Sequence, residues 1–337
     1  MRAFVVSGVR EGSVQDVAAP EAQQGQVVVD VHRVGVCGTD VEFFTGEMAY
    51  LHQGHARYPM RLGHEWCGVV SAVGSGVDDE WLGRRVTGDT MLGCGHCQRC
   101  LSGRHNVCED RFEIGIRGGF AGALAEQLAV PASALLTLPE NVDDTAGAMV
   151  EPGGNALRSV QAARLASGDR VLVLGLGTIG LLVAEFARAQ GAEVHLLGRS
   201  TRSRAFARTL GFISVWSQDD LPRLAWDAVI DASNAPSLPS LALDLVEPGG
   251  SIVYVGLAGT PSLIDTRTMA LKDVTAVGIL AASQGLAGTI EHYGAGDVDP
   301  KPLVGATVSL EHAGDVLAGW RPEGSGMGPK IHIDPRS

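Results

Sequence analysis

Residues 171–199 read VLVLGLGTIGLLVAEFARAQGAEVHLLGR, and this stretch decides the fold. It opens on an apolar run with the length and make-up of a buried strand. Gly175, Gly177 and Gly180 follow in the spacing G-x-G-x-x-G. A helical stretch carrying Ile179, Leu181, Leu182, Val183 and Phe186 then runs to Gly191, and a second strand, 194–197, completes a βαβ unit. Each glycine has a physical task. Gly175 permits the sharp turn off the strand, Gly177 lets the backbone approach a pyrophosphate, and Gly180 removes a side chain where helix and strand pack closely. The helix beginning at Thr178 and Ile179 presents free N–H groups and its positive dipole end to the phosphates. The motif alone is weak, but strand before and helix after point to a dinucleotide site.

The end of the second strand selects the nucleotide. A site for NAD carries Asp or Glu there to hold the ribose hydroxyls. This chain has Gly198, Arg199 and Ser200, with Arg202 and Arg204 close behind. A guanidinium and a hydroxyl suit a 2′-phosphate, and no carboxylate repels it. The expected cofactor is NADP, with NAD as the alternative.

Around this unit, residues 159–283 alternate strand and helix, with strands expected at 171–174, 194–197, 214–216, 228–231, 251–255 and 276–280. Six strands suit an α/β, doubly wound parallel Rossmann sheet. Residues 1–140 are instead β-rich and punctuated by glycine, with strands expected at 3–7, 27–31, 67–73, 85–87, 125–130 and 134–138. That pattern suggests a barrel-like domain. Helices are expected at 284–293 and 311–320 and a last strand at 330–334. The tail is too small to stand alone. The expected organisation is therefore a β-rich domain over 1–150, the dinucleotide domain over 151–284, and a return to the first domain over 285–337.

A chain of 337 residues, 45% hydrophobic and 19% charged, is long enough for two full cores. No run approaches the roughly 20 apolar residues of a membrane span, and the N-terminus lacks a secretory signal. A formal net charge of −12 argues against nucleic acid or an anionic membrane as partner. Six cysteines without an export signal indicate a reducing, cytoplasmic setting, in which metal ligation outranks disulfides.

Four of those cysteines, Cys94, Cys97, Cys100 and Cys108, lie in GCGHCQRCLSGRHNVC, a lobe spanning 90–110. Their thiolates can wrap one tetrahedral ion, leaving no open position, which is the mark of a structural zinc. An iron–sulfur cluster also takes four cysteines. Nothing else in the chain suggests electron transfer, which favours zinc. His96 and His105 are expected to face solvent.

Cys37 in VGVCGTD, His64 and Glu65 in LGHEWCG, and Glu151 in GAMVEPGG each have a structural explanation when taken singly. Cys67, in an apolar strand, reads as a core residue. In order along the chain, however, these motifs, the four-cysteine lobe and the nucleotide unit resemble the zinc-dependent medium-chain alcohol dehydrogenases. The ligand pattern is closest to the polyol, sugar and threonine dehydrogenase branch. That resemblance implies a first domain like the GroES barrel and an active site in a cleft between the two domains. It also implies a catalytic zinc on Cys37, His64 and either Glu65 or Glu151, with one position open to substrate. Two zinc ions per chain follow, one catalytic and one structural.

The same resemblance assigns Thr39 to the hydroxyl that bonds the substrate oxygen and begins a proton relay, and Asp40 to orienting a ligand or the loop. The outer relay residue is open, with His52 and His55 as candidates. Further cofactor contacts are implied at Ser233, Gly256, Leu257, Ile279 and Leu280, and a lesser one at Lys330. Residues 46–60 and Trp66 are expected to shape the substrate pocket. The implied substrate is a secondary alcohol or polyol, or the matching ketone or aldehyde. The implied assembly is a homodimer or homotetramer, extended through the last strand of the Rossmann sheet. Two alternatives stand beside this reading: a zinc-free quinone or enoyl reductase on the same fold, and a non-catalytic NADP-binding protein.

Overall fold

A computed structural model describes all 337 residues, Met1–Ser337. The chain divides into two compact units. The first comprises Met1–Glu151, Val304–Gly326 and Lys330–Ser337, and the second comprises Pro152–Leu303 and Met327–Pro329.

The second unit is built on a six-stranded sheet, parallel throughout. Its order is Val215–Trp216, Glu193–Leu197, Arg170–Leu174, Trp226–Asp231, Val246–Tyr254 and Thr275–Gly278. Numbered along the chain, this is the order 3-2-1-4-5-6 of the doubly wound dinucleotide fold. Val171, Leu172, Val173 and Leu174 are all fully buried. Both faces of that strand are covered, which is why it reads as a continuous apolar run instead of an alternation. Helix Thr178–Ala189 starts from Gly177, buries Leu181, Leu182, Val183 and Phe186, and stops where Gly191 adopts φ +87°. Each such side chain contributes about 1.5–3 kcal/mol on burial.

The first unit holds a seven-stranded sheet. Its main path runs Val304–Ser309, Lys330–Asp334, Gln26–Gly35, Glu65–Val73, Arg85–Gly88 and Leu135–Thr137, while Gln127–Pro131 pairs with Gln26–Gly35. Register shifts between Val28 and Val29 and between Val31 and Arg33 bend the long central pair. The curved sheet encloses a core that includes Val29, Val31, Val34, Phe43, Trp66, Leu128, Ile331 and Ile333.

Most expected strands are present within two or three residues of their anticipated ends. Four strands, Glu11–Asp16, Met91–Leu92, Phe112–Glu113 and Val304–Ser309, were not expected. The return to the first unit falls at Val304, not at 285. Helix Leu286–Ala295 belongs to the second unit because Tyr293 stacks on Phe186 and Gly285 lies against Gly154. The expected helix over 311–320 is shorter, a single turn at Leu310–His312 followed by Ala313–Leu317. No helix is long and apolar enough to cross a membrane.

Candidate metal and nucleotide sites

The four-cysteine lobe is folded by its own backbone. Cys97 opens the short helix Gln98–Leu101, and the N–H groups of Cys97, Cys100 and Cys94 point at the sulfurs of Cys94, Cys97 and Cys108 at 3.4–3.5 Å. The Cys94–Cys100 and Cys97–Cys108 sulfurs are 3.9 and 3.8 Å apart. A tetrahedral ion with Zn–S bonds of about 2.3 Å sets its sulfurs about 3.8 Å apart, so the spacing fits zinc. It is too long for a disulfide. Donation from the backbone of His96 and Cys97 pulls the Cys94 thiol down to about 6. Burial, then its neighbouring thiols, push Cys100 up to about 12, a cost that a central cation removes. His96 is exposed as expected, but His105 is half-buried and pairs with Asp89 at 2.7 Å.

Cys37, His64 and Glu65 form a second group, their ligand atoms all within 4.8 Å of one another. Strand Gln26–Gly35 delivers Cys37 to the start of helix Gly38–Thr45, and His64 and Glu65 lead into the neighbouring strand. Asp40 ties the two segments together. Its carboxylate is 1% exposed and accepts from the Cys37 N–H at 2.9 Å and the Gly63 N–H at 3.1 Å. Its other contact is His64 Nδ1 at 3.4 Å. Burial alone would raise the Asp40 pKa, but His64 and the two N–H groups hold it below its usual range. Burial opposes a charge on His64, yet Asp40 and then Cys37 outweigh it and hold its pKa well above the usual value. A nitrogen, a sulfur and a carboxylate converging in a nearly dry pocket are a donor set suited to zinc.

Glu65 also has a partner that sequence reasoning missed. Lys330 Nζ donates to both Glu65 oxygens at 2.7 and 2.6 Å and to the Val36 carbonyl at 3.0 Å. Both residues are almost fully buried, at 4% and 1% exposure. A Cβ on Gly35 would lie 2.1 Å from Glu65 Oε2, so the glycine makes room for the carboxylate. All three Lys330 donors are used inside the first unit, on Glu65 and the Val36 carbonyl.

The remaining expected residues divide. Glu151 is buried at the start of helix Val150–Ala163 but is not part of the Cys37 group. Thr39 is half-buried in the first turn of its helix, where Asp40, not Thr39, takes the capping role. Trp66 packs in the barrel core and does not line a pocket, its ring lying against Gly88. His52 bonds the Gly46 carbonyl and His55 sits edge-on to Tyr50. Cys67 is buried, its thiol donating to the Asp144 carbonyl at 3.1 Å, as a core residue should.

In the second unit, the glycine motif lies where strands Arg170–Leu174 and Trp226–Asp231 meet, the point at which strand order reverses. A Cβ on Gly175 would sit 3.1 Å from the Ala232 carbonyl oxygen, and one on Gly180 would sit 1.9 Å from the oxygen of Gly175. Gly177 is exposed, with open space where its side chain would be. Ser233 follows Asp231 and its N–H donates to that carboxylate at 3.0 Å. Gly256 abuts the Ser233 backbone, so these two expected contacts are neighbours. Leu257 and Leu280 are exposed and Ile279 half-buried, just beyond their strand ends. Arg199 and Ser200 are exposed at the end of Glu193–Leu197, and Ser200 caps helix Thr201–Thr209 through the Ser203 N–H at 3.0 Å. Arg204 is engaged differently from expectation. Its Nη1 donates to the carbonyls of Gly198 and Arg199 at 2.8 and 2.9 Å, which braces the loop.

Residues 23–140 match the family model of the alcohol dehydrogenase GroES-like domain, and residues 178–292 that of the zinc-binding dehydrogenases. The chain is 32% identical to 2-dehydro-3-deoxy-L-galactonate 5-dehydrogenase of Pseudoalteromonas atlantica, over 94% of this chain and 93% of that protein. An Escherichia coli alcohol dehydrogenase solved with NADH superposes with TM-score 0.90 at 25% identity, covering 99% of both chains. A zinc-binding dehydrogenase of Sinorhizobium meliloti solved with NADP superposes with TM-score 0.89 at 28% identity and the same coverage. With a GroES-like unit, a 3-2-1-4-5-6 sheet and relatives matched end to end, the chain belongs to the zinc-type medium-chain alcohol dehydrogenase superfamily.

Proposed function

We propose that this oxidoreductase transfers hydride between a secondary alcohol or polyol, or its carbonyl product, and NADP, and that it needs zinc to do so. The convergence of Cys37, His64 and Glu65 carries this reading. Zinc held by these three residues supplies a Lewis acid toward the substrate oxygen. Nicotinamide supplies the hydride acceptor or donor.

The chain's own residues do the rest. Asp40 faces His64 Nδ1, which leaves Nε2 as the ligating nitrogen and fixes the ring. The Asp40 bonds to the Cys37 and Gly63 N–H groups hold the two ligand segments in register. The Thr39 hydroxyl accepts the proton of the alcohol and passes it outward. Glu65 is the third ligand, because its carboxylate already faces Cys37 and His64, and Glu151 stands outside that group. Cys94, Cys97, Cys100 and Cys108 hold a structural zinc.

Arg199 and Ser200 bind the 2′-phosphate, with Arg204 bracing them. The relatives leave the nucleotide open, since one neighbour was solved with NADH and the other with NADP. The sugar-acid relative supports a polyhydroxylated substrate. The exposed edge strand Thr275–Gly278 suits pairing with a second copy, giving a homodimer or homotetramer.

Metal analysis together with a panel of primary alcohols, secondary alcohols and polyols tests this reading. Two zinc ions per chain and NADP-dependent turnover of secondary alcohols are expected. A single zinc per chain in an inactive protein would refute it. Zinc-independent reduction of quinones or enones would move the chain to the reductase alternative.

A further inference from the structure

One buried cluster in the first unit is not used by the reaction described above. Glu113 is 3% exposed, five residues beyond the last lobe cysteine. Its Oε1 accepts from Arg111 Nε at 2.7 Å and from the Tyr50 hydroxyl at 3.3 Å. Arg111 spans the gap between metal lobe and loop. Its Nη1 donates to the carbonyl of Cys108 at 3.1 Å and its Nη2 to the Tyr50 oxygen at 3.3 Å. Tyr50 is thereby fixed at its tip, and Arg117 lies 5.6 Å from the centre of its ring. The backbone of the loop hangs from the same residue. The His55 and Ala56 N–H groups donate to the Tyr50 carbonyl at 2.9 and 3.1 Å, and the His55 carbonyl accepts from Gly118 at 3.0 Å.

A buried carboxylate shared by an arginine and a tyrosine is a charge-assisted network, in which each bond strengthens the others and loss of one leaves the rest unsatisfied. This network joins two segments of short, irregular structure, the first of which is otherwise held by Ala56, Leu51 and Tyr58 packing on the core. Residues 49–58 contain only the four-residue helix Ala49–His52, and residues 93–108 gather four thiolates around one point. We propose that Glu113 and Tyr50 are positioning residues through which the four-cysteine lobe sets the conformation of residues 49–58, so that metal occupancy of the lobe governs how firmly substrate is held. The last step rests on the reading that this loop borders the substrate.

Limited trypsin digestion of the zinc-replete protein tests it, following by mass spectrometry the fragment that ends at Arg57, an exposed residue inside the loop. Cleavage there requires the loop to open locally. Tyr50→Phe removes the hydroxyl while keeping the ring, and should release this fragment about tenfold faster, the population change expected for loss of one or two hydrogen bonds. It should do so with zinc content and melting temperature close to wild type, and should raise KM for the alcohol more than it lowers kcat. Cys100→Ser, which empties the lobe, should open the loop at least as much. Wild-type cleavage at Arg57 in either variant would overturn the proposal. Because digestion needs no turnover, a protein inactive toward every alcohol but showing the faster cleavage would keep the clamp and refute only the dehydrogenase reading.

Discussion

The Glu65–Lys330 pair allows the sharpest test of how the candidate site is held together. Lys330→Met keeps most of the side-chain volume and removes the ammonium, leaving the Glu65 carboxylate, 1% exposed, without its cation. Breaking a buried pair by deleting one partner costs about 3–5 kcal/mol, because the remaining charge has neither water nor a counter-charge. The Val36 carbonyl, which accepts the third Lys330 donor at 3.0 Å, is stranded as well. In a unit of this size that loss corresponds to a fall of roughly 6–20 °C in melting temperature. Urea denaturation of metal-stripped protein, followed by circular dichroism, measures it directly. Lys330→Met combined with Glu65→Gln should recover at least half of the loss, since no buried charge is then left over. Repeating the measurement with zinc adds a second reading: if Glu65 is a ligand, the metal becomes its counter-charge and the penalty of Lys330→Met shrinks. A single-variant loss below about 1 kcal/mol, the range of exposed pairs, would refute the claim that this is a buried and mutually dependent pair. A double variant no more stable than Lys330→Met would do the same.

Three other outcomes are expected. Arg199→Asp should lower the NADP:NAD preference by about 10–100-fold in kcat/KM, since a charge-assisted contact of about 1.5–3 kcal/mol is lost and a repulsion gained; an unchanged ratio would remove Arg199 from the phosphate site. Gly180→Ala should weaken NADP binding by roughly tenfold or more, because its Cβ would stand 1.9 Å from the Gly175 oxygen and the phosphate turn must move to relieve it. Fluorescence titration reads this, and wild-type affinity would contradict the packing argument. Asp334 is the acid-sensitive position: burial opposes its charge, but Arg336 and Arg33 hold its carboxyl at about 2. Its folded pKa is depressed, so its contribution of about 1–2 kcal/mol is complete above about pH 4 and lost as pH falls toward 2. Asp334→Asn should therefore be less stable than wild type at pH 7 and equal to it near pH 2. A gap that does not change with pH would count against the pairing.

What could be read from residues alone, and what could not, follows from how far apart the cooperating groups lie in the chain. The glycine motif and the four cysteines are local, so turn geometry and ligand spacing were legible. The central strands of the second unit were legible for a different reason: buried on both faces, they carry uninterrupted apolar runs such as 171–174. Cys37, His64 and Glu65 were recognised as a set by resemblance, but their fixing by Asp40 was only sketched, and their link to Lys330 was missed. Lys330 sits in KIHID, where Ile331 and Ile333 alternate with polar residues. That pattern reads as an apolar face in the core and a polar face in water. In the folded chain the polar face is buried too, with Lys330 at 4% and His332 at 0% exposure. Only the pairing of Lys330–Asp334 with Gln26–Gly35, at His332 to Gly35 and Ile333 to Val34, brings Lys330 to Glu65. Register between strands 300 residues apart is a property of neither strand alone. The one local trace was Gly35 at the end of a valine-rich strand, a residue without a side chain where a neighbour's carboxylate needs room. The same reasoning explains why Trp66 was misplaced. An aromatic residue beside a ligand looks like a pocket wall until the sheet's curvature turns Trp66 into the core.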